Sequence, residues 1–431
     1  MTEMINGIRE LERDLKLLLI ASIPTGLSGG MFYAVWGLYF ETEGVNVSLL
    51  GLYSFLEGLL MAAVFIPAGL ITDKMGRKKP VLIGYMFSAV SLAIVSLWGL
   101  NLLAIIVSGI LGGCSSLALP AFQAWLADLA GSRMEEASSI QMFLYSVSFS
   151  AGSLMGWVPE LMVMSSRDMN YSQAYRMMIL LSMLATLIAI PFFLATKDKK
   201  MACSTANHPI TLKDILRPLN SSMIRRLTFL LVLSSLATGF FYPLTSYYLG
   251  EKYGVESGPV GTVLSLIYLI SSFSYLVAPV FSKLLGLVKF IVLSQGFAIL
   301  VMALIPLTQD FLLASTLLIL QVMGTYAPFP LIWALFMEYS PPDERGMVNS
   351  LYNLSVVGPR AISSLAGGNM MSISLEYPIF AFILLYSLYN LLFATLVRSP
   401  HYKKSYLAKV AENTGDENGF EGQDRCNTTE A

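Results

Sequence analysis

The sequence predicts an all-α polytopic membrane protein of twelve transmembrane helices, arranged as two pseudo-symmetric six-helix bundles. Three observations predict it. Of 431 residues, 55% are apolar and only 13% are charged, against about 25% charged in an average soluble chain. The charges are bunched, leaving apolar runs as long as the roughly 20 residues that cross a bilayer. A single offset of 210 residues also brings the two halves of the chain into register.

The apolar runs place spans at 15–40, 49–71, 80–99, 102–127, 138–158 and 174–195, then at 226–250, 258–282, 287–307, 311–337, 347–371 and 376–397. The first, fourth, seventh and tenth are the longest and contain Gly or Pro, which calls for tilt or a local break. The chain then divides into a leading segment 1–14, a first bundle 15–195, a central loop 196–225, a second bundle 226–397 and a polar tail 398–431. Within the central loop, Thr211 precedes Leu212, Ile215, Leu216 and Leu219 at helical spacing, with Asp214 placed for a capping box. This predicts a short amphipathic helix on the membrane surface. The tail, rich in Gly, Glu and Asn, is expected to be disordered. The first apolar run is too long for a signal-peptide core, so no cleavable signal is expected.

Orientation follows from the basic residues. Of 27 Lys and Arg, only Arg167, Arg176, Lys252 and Arg360 fall outside the segments that are cytoplasmic when both termini are inside. The positive-inside rule therefore predicts cytoplasmic termini, in a multi-pass protein of the plasma membrane. A net charge of −1 offers nothing to nucleic acid. Cys114, Cys203 and Cys426 have no metal or redox spacing. The two histidines, His208 and His401, lie outside the spans, so no triad or metal constellation arises at membrane depth. A membrane-embedded enzyme is disfavoured, and no cofactor or metal is expected. No GxxxxGK[ST] loop occurs, so any energy source is an ion gradient or the solute's own gradient.

The 210-residue offset pairs Gly51 with Gly261, Ala68 with Ala278, Gly76 with Gly286 and Lys79 with Lys289. It also pairs Pro120 with Pro330, Ala124 with Ala334 and Asp128 with Glu338. Parallel repeats of this kind imply a pseudo-twofold axis along the membrane normal, with a site between the halves near the midplane.

Between the second and third spans the chain reads Gly69-Leu-Ile-Thr-Asp73-Lys-Met-Gly76-Arg77-Lys78. Gly69 allows close helix approach and Gly76 a tight turn. The stretch resembles the signature loop of the major facilitator superfamily (MFS). A second stretch, Glu338-Tyr-Ser-Pro-Pro-Asp-Glu-Arg345-Gly346, is similar to the superfamily's second-half counterpart. The repeat of the first loop in the second half, Pro279 to Gly286, has Lys283 where the acid would stand. The resemblance implies the MFS fold and secondary transport by alternating access of a small organic solute. It also implies a conformational latch of Gly69, Asp73, Gly76, Arg77, Lys78, Asp128, Glu338 and Arg345. In that latch Asp73 faces the start of the eleventh helix and Arg77 pairs with Asp128 at the end of the fourth.

Ionisable groups at membrane depth are costly and are functional suspects. Glu57 in the second span and Arg360 in the eleventh stand out. In the family fold these helices face each other, so the two are expected to form a coupling and gating pair. A carboxylate that gains and loses a cationic partner gains and loses a reason to stay ionised, which is a route to proton coupling. A permanent structural pair, and two groups solvated separately, stay open beside it. Gly358-Pro359 followed by Gly367-Gly368 resembles an antiporter signature of drug-efflux members. There it lies in the fifth helix; here it lies in the eleventh, while the fifth carries Gly152 and Gly156. That departure weakens an antiporter assignment.

Candidate cavity groups in the first half are Tyr33, Trp36, Tyr39, Gln123, Gln141 and Tyr145, with Trp125 beside Gln123. In the second half they are Tyr242, Tyr268, Gln295, Gln321, Asn349, Asn353 and Asn390. Aromatic rings with few fixed charges suit an amphipathic or weakly charged organic solute. The partners expected are the lipid bilayer, that solute and a proton, with the monomer as the working unit. The charge-poor spans favour efflux over nutrient uptake or uniport. A non-transporting sensor on the same fold would be expected to carry a large extra soluble domain, and the sequence has none.

Overall fold

The structure is a computed structural model that describes residues 12–166, 168–198, 215–340 and 344–397. Twelve helical rods make up the described chain. In the first half they are α1 Arg13–Thr42, α2 Val47–Met75, α3 Lys78–Trp98, α4 Leu102–Ala130, α5 Met134–Leu154 continuing as Trp157–Ser165, and α6 Tyr171–Ala195. In the second they are α7 Ser222–Tyr253, α8 Ser257–Leu285, α9 Leu287–Leu307, α10 Phe311–Glu338, α11 Arg345–Ile373 and α12 Tyr377–Leu396. Among the described residues, nine helices are long and apolar enough to cross a membrane by themselves. α5 and α11 are diluted by Ser, Gln, Asn and Gly, the residues that pack helices together inside a bundle. The expected surface helix around Thr211, Leu212 and Asp214 and the tail 398–431 lie outside the described residues.

The four rods expected to tilt or break, the first, fourth, seventh and tenth, are all interrupted. α1 breaks at Ala21 and α4 between Ser115 and Ala118. α7 passes through a 3-10 turn at Tyr242–Leu244, and α10 breaks between Tyr326 and Phe329. Pro243 and Pro328 explain two of the breaks, since proline supplies no backbone donor. α5 runs seven residues past the expected span end because Pro159 sits in the first turn of its second segment, where its missing N–H costs nothing.

Several rods start with a side-chain cap. Asn46, Asn101 and Asp310 cap α2, α4 and α10, and Asn170 forms a full capping box with Gln173 at α6. Such caps satisfy backbone donors that the end of a helix leaves orphaned. The internal repeat is visible in the helices themselves. α2 and α8 each have 29 residues. Both end in a glycine with positive φ, 81° at Gly76 and 85° at Gly286. Within each half, small residues let backbones touch. A Cβ on Gly30 of α1 would lie 2.1 Å from the Phe149 carbonyl of α5, and one on Gly367 of α11 would lie 2.3 Å from the Phe240 carbonyl of α7. The equivalent pairs, α1 with α5 and α7 with α11, thus use the same device.

Candidate functional site

The face where α1 begins and α12 ends is the terminal face, and the opposite face is distal. The halves meet mainly through α2 against α11 and α5 against α8. On the distal half of this seam the backbones touch. A Cβ on Gly51 would lie 2.7 Å from the Ser364 carbonyl, and one on Gly261 only 2.1 Å from the Ser153 carbonyl. Hydrogen bonds cross there too. Ser257 donates to the Gly156 carbonyl (2.6 Å), Trp157 Nε1 to Thr262 Oγ1 (3.0 Å), Tyr175 to Glu256 (2.6 Å), and Ser150 shares a bond with Ser265 (2.7 Å). Gly258 N donates to Glu160 (2.7 Å) and Gly37 N to Ser246 Oγ (3.2 Å).

Toward the terminal face the walls part. A cavity of about 930 Å³ is lined by α1, α3, α4 and α5, by Ser182 and Thr186 of α6, and by Leu269 and Phe273 of α8. A second cavity of about 470 Å³ lies between the halves and is lined from α1, α2, α7, α8, α10 and α11. The two share Phe32, Tyr33, Tyr53 and Glu57. Both volumes are of the size that holds small molecules. The structure is therefore sealed on its distal side and hollow on its terminal side.

Glu57 lies ten residues into α2 and Arg360 thirteen residues before the end of α11, about 15 and 20 Å from the distal ends at 1.5 Å per residue. They line the same inter-half cavity but form no ion pair, contrary to the expected contact. The helices are not too far apart, since a Cβ on the neighbouring Gly58 would lie 2.6 Å from Ala361 Cβ. The Glu57 carboxylate is turned elsewhere. Glu57 Oε1 points to α4, 3.5 Å from where a Cβ on Gly112 would sit. Arg360 lies where α11 packs on α7, its carbonyl 2.4 Å from a Cβ built on Gly239. Its Nε is buried without a hydrogen-bond partner.

Of the cavity candidates, Tyr33, Gln123, Gln141 and Tyr145 line the larger space. Tyr33, Trp36, Tyr242 and Tyr268 line the smaller. Phe149 links the two halves by packing on Tyr268, with ring centroids 3.8 Å apart. The other candidates do not face either cavity. Tyr39 is fully buried beside Arg176 and Gly99 near the distal end. Gln295 donates to Tyr389 (2.9 Å), and Asn390 to the Val292 carbonyl (3.2 Å). Gln321 bonds Tyr242 and Thr325. Asn353 donates to its own helix at the Asn349 carbonyl (2.8 Å), and Asn349 is exposed beside Trp333. Each of these amides finds a protein partner, the cheapest way to hold a polar group in an apolar bundle. Trp125 is buried and donates to the Lys197 carbonyl (3.2 Å).

At the terminal face, Arg77 Nε lies 2.9 Å from Asp128 Oδ2, joining the α2–α3 turn to the end of α4. Lys78 donates to the Leu194 and Thr196 carbonyls at the end of α6 (2.6 and 3.1 Å). The turn needs Gly76, because φ is 81° there and a Cβ would lie 2.6 Å from Asp198 Oδ2. Glu338 is exposed, and it is Glu344 that pairs with Arg217 (3.4 Å). Gly69 and the side chains of Asp73 and Arg345 lie outside the described residues.

Sequence reasoning missed the distal closure altogether. It also missed the pairing of Lys252 with Glu376 at 2.6 Å, which spacing does not signal, since 124 residues separate the two. Among the described residues no group of three or more His, Cys, Asp or Glu could hold a metal ion.

The Major Facilitator Superfamily sequence model matches residues 18–364 and, overlapping, 227–412. No curated protein gives a significant match. Among solved structures, the nucleoside transporter NupG is similar at 16% identity with a TM-score of 0.69, covering 89% of this chain and 98% of its own. A bacterial homologue of the iron transporter ferroportin, in an inward-facing state, matches at 14% identity and TM-score 0.67, over 90% of this chain and 99% of its own. A bacterial homologue of the human lysosomal transporter Spinster matches at 12% identity and TM-score 0.67, over 89% and 96%. With the family model spanning most of the sequence and the twelve-helix fold around a central cavity, the chain belongs to the Major Facilitator Superfamily and is a multi-pass membrane transporter, not an enzyme.

Proposed function

We propose that the chain is a proton-coupled secondary transporter that exports a small amphipathic organic solute across the plasma membrane by alternating access. The observation that carries this is Glu57, a carboxylate near the midplane that lines both cavities and has no cationic partner among the described residues. Such a group is free to exchange a proton or a cationic solute with the open side. The basic-residue distribution makes the terminal face cytoplasmic, so the hollow side would be the loading side for efflux. Walls of aromatic rings and hydroxyls suit an amphipathic solute. A facilitator working without a proton is the second reading, favoured by Gly358-Pro359 lying in α11 rather than α5.

The test is transport in proteoliposomes with an imposed pH gradient, against a panel of fluorescent organic cations and sugars. Gradient-driven movement that Glu57→Gln abolishes supports the proposal. Transport indifferent to both the gradient and the substitution would make the protein a facilitator.

A further inference from the structure

We infer that the inter-half cavity is a site for a zwitterion, with Glu57 receiving its ammonium and Arg360 its carboxylate. This rests on the transport reading and names the class of solute. Glu57 and Arg360 are the only charged residues among the described ones that line either cavity. They have opposite sign, come from opposite halves, and pair neither with each other nor with any described residue. Their backbones are pinned side by side through Gly58 and Ala361, yet the Glu57 carboxylate points to α4 and the two charges form no ion pair.

Each group by itself is a cost. An uncompensated charge at membrane depth is expensive, and a pair in contact would relieve both charges at once. The open arrangement leaves both available to a ligand. A guanidinium whose Nε is buried without a partner favours a carboxylate, which such a group can grip bidentately. A carboxylate flanked by Tyr33 and Tyr53 favours an ammonium, which the ring faces also attract. A purely cationic solute leaves Arg360 unmatched, an anion leaves Glu57 unmatched, and a neutral solute leaves both. Only a solute carrying both charges satisfies both groups.

The same cavity is lined by Trp36, Tyr242, Tyr268 and Tyr326. They suit an aromatic or apolar body, as in an aromatic amino acid or a small peptide. An ammonium and a proton would then compete for one carboxylate, so solute and proton would tend to exchange.

The test is calorimetric binding to the purified full chain. The probes are L-phenylalanine, L-phenylalanyl-L-alanine, cationic L-phenylalanine amide and anionic N-acetyl-L-phenylalanine. At least one zwitterion should bind wild type tenfold or more tightly than either blocked form. Glu57→Gln should lose the preference over the N-acetyl form and keep that over the amide, and Arg360→Gln the reverse. Each variant is first shown to elute as wild type on size exclusion, and Glu57→Asp and Arg360→Lys should retain the selectivity. Blocked forms that bind as well as the zwitterions, or no binding of any probe, would overturn the inference. Counterflow of the same probes and of the wider panel in proteoliposomes separates the two claims. Transport of another solute without zwitterion binding overturns only the zwitterion site. Zwitterion binding without counterflow of any probe overturns the transport reading and leaves the site standing.

Discussion

Gly261→Ala adds one methyl group where the distal seam has no room for it. Its Cβ would lie 2.1 Å from the Ser153 carbonyl oxygen and 3.3 Å from Gly156 Cα, where ordinary contact begins at 3.4 Å. The obstacle is backbone on α5, not the tip of a flexible side chain, so α5 and α8 must part by over ~1 Å. Overpacking of this kind costs about 1–3 kcal/mol. At about 1.4 kcal/mol per factor of ten, the ratio of distal-closed to distal-open molecules falls roughly 5- to 150-fold. The Ser150–Ser265 bond at 2.7 Å stands a turn away and is strained with it. The assay is electron–electron double resonance between nitroxides at the exposed distal residues Thr42 and Asp310, on a chain with Cys114, Cys203 and Cys426 replaced by Ser. A longer-distance population should appear in Gly261→Ala. Gly358→Ala is the control, because a Cβ there meets nothing within 4 Å. Distance distributions for Gly261→Ala that superimpose on wild type would refute the view that glycine contacts hold the distal side shut.

Three further substitutions test other contacts. Removing either partner of Arg77–Asp128 (2.9 Å, with side chains 22% and 13% exposed) should cost the terminal-side arrangement about 1.5–3 kcal/mol, as for hydrogen bonds to charged groups. Transport rates should drop in Arg77→Gln and in Asp128→Asn, and the double variant should be no worse than either. Fully additive losses would show that the two are not coupled. Gly76→Ala should lower the thermal midpoint, with about 1–2 kcal/mol from positive φ and more from the 2.6 Å approach to Asp198. Adding Asp198→Ala should recover only the second part, and full recovery would show that backbone conformation contributes nothing. Lys252→Met should destabilise by about 3 kcal/mol, because it strands Glu376 beside Tyr248 in a partly buried site. Lys252→Met combined with Glu376→Gln should unfold closer to wild type, and equal losses in the single and double variants would contradict the pairing.

Membrane spans are legible in a sequence because the bilayer imposes one condition, a long enough apolar stretch that satisfies its own backbone. The twelve spans and the interruptions of α1, α4, α7 and α10 follow from apolar length and from Gly and Pro. Rotation about each helix axis is another matter, since it depends on which neighbour packs where. Gln295, Gln321 and Asn390 look the same in sequence as Gln123 and Gln141. In the fold the first three bond to Tyr389, to Tyr242 and to the Val292 carbonyl, while the last two line the cavity. Tyr39 lies six residues beyond Tyr33 on the same helix, yet it is buried near the distal end.

By itself the sequence determined the class of the molecule, its twofold repeat and the depth of Glu57 and Arg360, because hydropathy, a constant offset and residue counts are properties of the chain alone. Only the tertiary structure decided which side is closed, and that these two charges share a cavity without touching. Closure depends on Gly and Ser from α2, α5, α8 and α11 meeting at backbone distance. A side chain's direction at such a contact is set by the packing of both helices, which no single span encodes.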